Sequence, residues 1–194
     1  MLQAASAPLI LASASPRRLA LLAQIGVVPT EIRPAALDEV PRVGELPRNH
    51  ARRLAREKAA AAAKPGSFVL AADTVVAVGR RILPKAEDAD TVRACLALLS
   101  GRRHHAITAV VLVAPDGSAS ERVVDTAVAF ARLHPDQADA YARCGEGVGK
   151  AGGYAIQGRA AAFVRELIGS YSGVVGLPLF EAAQLLRGRG FPLP

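Results

Sequence analysis

The sequence predicts an α/β fold, a mixed sheet with flanking helices. Apolar strand-like runs alternate with helical patterns, and no internal repeat is present. Half of the 194 residues are hydrophobic, enough to bury a sizeable core. That length fits one domain, residues 1–194, with room for two lobes. Aromatic residues make up 4% of the chain, so the core falls to Leu, Val, Ile and Ala.

Residues 9–12 form a short apolar run that reads as a buried strand. Ser15 offers an N-cap, and Pro16 sits at the first helical position. Leu19, Leu22 and Ile25 recur at helical spacing before Gly26, a C-terminal stop. A polar loop with Pro34, Pro41 and Pro47 follows. Residues 49–64 predict an Ala-rich basic helix ended by Pro65-Gly66. Residues 67–72 predict a strand running into Asp73, continued by 75–78 up to a turn at Gly79-Arg80. Asp88 opens a helix with Val92, Cys95, Leu96 and Leu99 on one face, closed by Ser100-Gly101. Residues 107–114 and 121–131 flank Pro115-Asp116-Gly117 and predict a β-hairpin. A short helix over 135–144 precedes the glycine-rich segment 145–158. A strand over 161–168 and a helix over 178–187 complete the reading.

The formal net charge is +7, and 20 of the 24 basic residues are Arg. Arg holds phosphate bidentately, so the excess suits an anionic ligand, although most such residues lie solvated on helix faces. Five Phe, three Tyr and no nucleic-acid motif speak against an RNA- or DNA-binding module. Cys95 and Cys144 make neither a disulfide framework nor a zinc pattern, which fits a reducing cytoplasm. Ala12-Ser13-Ala14 mimics a signal-peptidase site, but no basic residue precedes the short apolar run before it. No apolar stretch reaches membrane-spanning length. The expected location is the cytoplasm, without membrane contact.

Four strings carry chemistry. Ser13-Ala14-Ser15-Pro16-Arg17-Arg18 brings hydroxyls and guanidinium groups to a helix start, where free N–H groups favour phosphate. Read alone, it is also an ordinary Ser-Pro cap with surface Arg. Asp73 closes an apolar run, and ligands of α/β sheets collect beyond strand carboxyl ends. A carboxylate there can hold a divalent metal or orient water, or it can simply end a strand. Asp38-Glu39, Lys58 and Lys85 are single charges that spacing alone would not select. The run Gly149-Lys150-Ala151-Gly152-Gly153-Tyr154-Ala155-Ile156-Gln157-Gly158 is neither a P-loop nor a dinucleotide fingerprint. Its glycines would let backbone approach a ligand, and Gln157 could pair with a base edge. His104 and His105 lack a partner at metal-ligand spacing and read as structural or substrate-edge residues.

In this order, the strings resemble the Maf family of nucleotide pyrophosphatases. The matching segments are 11–18, Asp38-Glu39, 55–59, 71–76, Leu99-Ser100-Gly101 with His104 and Thr108, 150–158, 169–172 and 174–179. The resemblance implies a fold related to inosine triphosphate pyrophosphatases, with two lobes around a cleft. It implies hydrolysis of a nucleoside triphosphate to the monophosphate and pyrophosphate with Mg²⁺ or Mn²⁺. It also implies Asp73 as general base and metal ligand with Glu39. Ser13, Arg17, Lys58 and Lys85 become substrate-binding residues, and Thr74 and Gln157 positions that select the base. The implied partner is a small-molecule nucleotide; a homodimer stays open. The family is linked to arrest of cell division, which these residues do not derive.

Three departures stand out. Pro84-Lys85-Ala86 replaces Gly-Lys-Pro, Gly149 replaces an acidic residue, and Gly173 replaces Asn. Arg17, Thr74 and Gln157 resemble the branch acting on dTTP and UTP. A 7-methyl-GTP or broad modified-nucleotide pyrophosphatase, and a non-catalytic binding protein, are the alternatives.

Overall fold

A computed structural model describes residues 7–194. Met1 to Ser6, on which the expectation of no signal peptide partly rests, lie outside the described residues. Seven strands form one mixed sheet: β1 (Leu9–Leu11), β2 (Glu31–Ile32), β3 (Phe68–Val78), β4 (Arg81–Ile82), β5 (Arg103–Val113), β6 (Ala119–Phe130) and β7 (Val164–Ile168). Their spatial order is β2-β1-β3-β5-β6-β7, and β4 pairs with the far end of β3. β1 is parallel to β2 and β3; the other pairings are antiparallel. Flanking helices are α1 (Pro16–Gln24), α2 (Pro47–Ala61), α3 (Ala89–Leu99), α4 (Pro135–Arg143), α5 (Tyr171–Val175) and α6 (Leu179–Gly188). The predicted mixed α/β architecture is present. Among the described residues no helix is long and apolar enough to cross a membrane.

Strand side chains alternate between faces, and each face of this sheet has its own core. Val69, Ala71 and Val75 of β3 face α2, whose Ala51, Ala55 and Ala59 let the helix lie close. Phe68, Leu70, Ala72 and Val76 face the opposite way, toward Leu22 of α1, Leu96 and Leu99 of α3 and Leu186 of α6. Each of these fully buried leucines contributes about 1.5–3 kcal/mol over an exposed one. A ring cluster of His104, Phe130, Tyr154 and Phe163 packs edge-to-face within that larger core.

Several boundaries differ from the sequence reading. α2 begins at Pro47, because proline suits the first helical turn, where its missing N–H is not needed. It ends at Ala61, since the residue before Pro65 is turned away from helical geometry. β5 starts at Arg103 and takes in both histidines. The predicted strand at 161–168 begins as a 3-10 helix over Arg159–Phe163, where small residues close a tight turn before Val164. α5 spans five residues, too short to show a period, and hangs on a cap bond from Gly173 N–H to Ser170 Oγ. Above all, β3 runs unbroken through Asp73, which therefore sits mid-strand and not at that strand's carboxyl end.

Candidate active site

The strand whose carboxyl end opens into the site is β1. It stops at Leu11, opposite Leu70, and its last ladder bond runs from Ala12 N–H to the Leu70 carbonyl. Beyond that point the β1-side edge of β3 is uncovered until β4 begins opposite Ala77. A cleft of about 830 Å³ wraps over this bare edge and reaches both faces of the sheet. Ser13, Arg17, Glu39, Lys58, Asp73, Thr74, Lys85 and Gln157 all line it, so a scatter across 145 sequence positions becomes one site.

On the α2 face the site is a paired charge centre. Lys58 Nζ lies 2.6 Å from Asp73 Oδ1 and 2.5 Å from Glu39 Oε1. The Lys58 and Asp73 side chains are 10% and 9% exposed, so the pair is shielded, whereas Glu39 at 44% reaches solvent. Burial pushes the Glu39 carboxyl upward, but the Lys58 hydrogen bond and charge, with Lys85 and Arg18, outweigh it and hold the group below its ordinary value. Asp73 lines the cleft, and its Oδ2 has no hydrogen-bond partner among the described residues.

Ser13 is buried at the end of β1. Its Oγ accepts from Ser15 N–H at 3.2 Å and from Arg18 Nη1 at 2.9 Å. Both lone pairs are then engaged, which leaves the hydroxyl proton to donate to a ligand oxygen. Ser15 occupies the N-cap position of α1 without a side-chain cap bond. Arg18 is anchored by Nε to Gly176 O at 2.8 Å and Arg17 by Nε to Val175 O at 3.3 Å. The sequence reading gave Arg18 no separate role; its hold on Ser13 supplies one. Burial lowers the pKa of both guanidinium groups.

Thr74, one residue after Asp73, points to the opposite face. Its Oγ1 lies 2.9 Å from Thr108 Oγ1, and Thr108 donates its proton to Gly173 O at 2.7 Å. Thr108 has no second proton to give, so Thr74 donates to it and keeps only acceptor capacity for the cleft. Gly173 serves here through its backbone.

The remaining wall is stitched from two segments. Gly149 N–H donates to Ala86 O at 2.7 Å, Ala86 N–H to Lys150 O at 3.0 Å and Gly152 N–H to Pro84 O at 3.0 Å. Ala86 thus makes a bond that proline could not. The stitching sets Lys85 opposite Ala151 and brings Lys150 into the same wall, a cation to which the sequence reading assigned no role. Burial, and then the charges of Arg17 and Lys85, lower the Lys150 pKa. Gly149 has φ +74°, the left-handed region where an acidic residue would be strained. Gly152, at φ +66°, lets the segment press on β3: a Cβ there would lie 2.7 Å from Val76 Cγ1. Gln157 is exposed at the rim beside the buried Tyr154, Ala155 and Ile156. His104 stands behind this wall as a structural residue, its Nε2 2.9 Å from the Tyr154 hydroxyl; His105 pairs with Asp125 on the surface.

Glu39 and Asp73 are the oxygen donors that could hold a divalent metal. No group of three or more His, Cys, Asp or Glu at metal-binding separation occurs among the described residues. Two carboxylates suit Mg²⁺ or Mn²⁺, which commonly take one or two protein oxygens and complete their shell with water and phosphate.

The profile of the Maf-like protein family matches residues 8–189. A dTTP/UTP pyrophosphatase of Paramagnetospirillum magneticum is 62% identical over 187 residues, covering 95% of this chain and 98% of that one. Proteins of the same name from Rhodospirillum rubrum and Caulobacter vibrioides are 62% and 58% identical, covering 96% and 97% of this chain and 90% and 98% of theirs. A dITP/XTP pyrophosphatase structure from Mycobacterium abscessus overlaps 65% of this chain and 75% of its own at 24% identity, with a TM-score of 0.42. The family match spans nearly the whole length and takes in every residue of the cleft, so the chain belongs to the Maf family.

Proposed function

We propose that this chain hydrolyses dTTP and UTP to the nucleoside monophosphate and pyrophosphate. The observation that carries the reading is the convergence in one cleft of a Lys58-bridged carboxylate pair and a separate wall of Arg17, Lys85 and Lys150. A triphosphate needs both: cations for its oxygens and a carboxylate for the attacking water. The pyrophosphatase names of relatives at 58–62% identity support it.

In the reaction, one water adds across the α–β anhydride. Its oxygen bonds to one of the two phosphorus atoms, and the bridging P–O bond on that atom breaks. Its proton passes to the free Oδ2 of Asp73, while Oδ1 stays on Lys58. Lys58 bridges the two carboxylates and so keeps Glu39 beside Asp73. Ser13 donates to a phosphate oxygen, and Arg17, Lys85 and Lys150 orient the chain of phosphates. Glu39 and Asp73 would hold Mg²⁺ or Mn²⁺, which when bound would supply charge neutralisation for the phosphate oxygens.

Base choice fits the far side of the cleft. Uracil and thymine offer a carbonyl–NH–carbonyl edge. Thr74 Oγ1 is an acceptor for the NH, and the Gln157 amide adds a donor and an acceptor. A 7-methylguanine is cationic and would meet Arg17 without a carboxylate at position 157. The test is pyrophosphate release from a panel of canonical triphosphates and 7-methyl-GTP, with Mg²⁺ and with Mn²⁺. dTTP and UTP should lead; equal or better turnover of 7-methyl-GTP would overturn the base assignment. No release from any triphosphate would overturn the reaction.

A further inference from the structure

Glu39 lies in the loop between β2 and α2, which has no regular secondary structure of its own. Yet Glu39 must meet Lys58 and Asp73, which sit on rigid elements. The pair that fastens the loop, Arg53 and Glu45, does not itself line the cleft. Arg53, on α2 one turn before Glu57, forms a bidentate pair with Glu45: Nε to Oε1 and Nη2 to Oε2, each 2.8 Å. The same Nη2 donates to the carbonyl of Val40, the residue after Glu39, at 3.2 Å. Glu45 Oε2 also accepts from Arg42 N–H at 3.0 Å and lies 2.9 Å from His50 Nδ1. Glu57 closes the network on Arg53 at 3.2 Å. The Arg53 and Glu45 side chains are 14% and 10% exposed, far less than an ordinary surface ion pair. The Arg53 hydrogen bonds, opposed by burial and helped by the Arg42 amide and His50, hold the Glu45 carboxyl far below its ordinary range.

We infer that Arg53 and Glu45 are positioning residues: they fasten the 33–46 loop to α2 so that Glu39 stays against Lys58 and Asp73. The geometry favours this over a general stabilising role. Every partner of the pair belongs either to the loop or to the first three turns of α2. None reaches the sheet core. Loosening the strut would release Glu39 first and leave β3 and the core unchanged. Bidentate geometry also makes lysine a poor substitute for Arg53.

The inference takes its functional meaning from the pyrophosphatase reading, but its test is independent of turnover. The chain has four lysines, so competitive acetylation followed by mass spectrometry reports each one separately, with Lys64 as an exposed reference. In the wild-type protein Lys58, held by two carboxylates, should react slowly. Arg53→Met should raise Lys58 reactivity relative to Lys64 by about tenfold, the effect of releasing one charged hydrogen bond. Glu39→Gln should raise it to a similar extent. The double variant should add little, because Arg53 acts through Glu39. Arg53→Lys should restore only part of the protection. If Arg53→Met does not fold, Glu45→Gln removes the same bidentate pair without changing size. Unchanged Lys58 reactivity in the folded variants, or fully additive effects, would overturn the strut. Absent turnover in the wild type would overturn only the enzymatic reading.

Discussion

The two walls of the cleft handle charge in opposite ways. On the α2 side, Lys58 sits between Glu39 and Asp73, and its charge is matched within the protein. On the side built from 84–86 and 149–153, Lys85 and Lys150 stand near Arg17, and none of the three has a carboxylate partner at ion-pair distance among the described residues. The paired wall keeps its geometry without a ligand, because opposite charges hold it. The unpaired wall is self-repelling, and a polyanion relieves that repulsion. The carboxylates are therefore preorganised on one side, and uncompensated positive charge stands on the other.

The sharpest way to break the comparison is Asp73→Asn. Size is kept and Lys58 still has Glu39, so circular dichroism should be unchanged while turnover falls by about 10²–10³. A folded Asn variant with near-normal turnover would take Asp73 out of the chemistry.

A second test asks how the unpaired wall is braced from behind. Burial, with a smaller contribution from His105, pushes the His104 imidazole down to about 4 from an ordinary value near 6.5. The unfolded chain takes a proton in that interval and the folded chain refuses it. Stability is thus full above about pH 6.5 and falls as pH drops toward about 4, by a total of about 3 kcal/mol. Chemical denaturation across this range should show the slope, and His104→Gln should flatten it. A slope that survives the substitution belongs to other groups.

The smallest effects separate the lysines. Lys85→Ala and Lys150→Ala should each raise KM for the triphosphate by about tenfold, the value of one charge-assisted contact. The melting temperature should hold steady or rise slightly as repulsion is relieved. A collapse of stability in either variant, with KM intact, would make that lysine structural.

Much of this was legible in sequence, for identifiable reasons. The hairpin showed through Pro115-Asp116-Gly117, and α3 through its Asp88 cap and its Val92-Cys95-Leu96-Leu99 face. β2 and β4, of two residues each, and the five-residue α5 show no period and escaped notice, while the similarly short β1 showed through its apolar run and β7 within the strand predicted over 161–168. Asp73 read as a strand end because an acid interrupts an apolar run, yet β5 pairs with β3 straight through it and buries the backbone on that side. Ser13 showed through the Ser-Pro-Arg string at a helix start, whereas Glu39, Lys58 and Lys85 came from family resemblance; no spacing in the chain reveals that β1 stops short and leaves an edge for them to surround. Lys150 was hidden in a run read for its glycines, and only the backbone bonds to 84–86 place it in the wall.

Asp73 and Thr74 are neighbours in sequence, yet they project from opposite faces of a strand that β5 pins over nine consecutive residue pairs. Strand side chains repeat every two residues, so a single-residue insertion or deletion between Phe68 and Asp73 would exchange the faces. The carboxylate would turn into the leucine-rich core, and the threonine would arrive beside Lys58. The length of this half-strand is therefore invariant on physical grounds. The choice of base that we propose for positions 74 and 157 can be retuned by substitution there, but not by changing the count of residues ahead of Asp73. The loop that carries Glu39 is under no such parity rule, and gains or losses of sequence can accumulate there as long as the Arg53–Glu45 fastening survives.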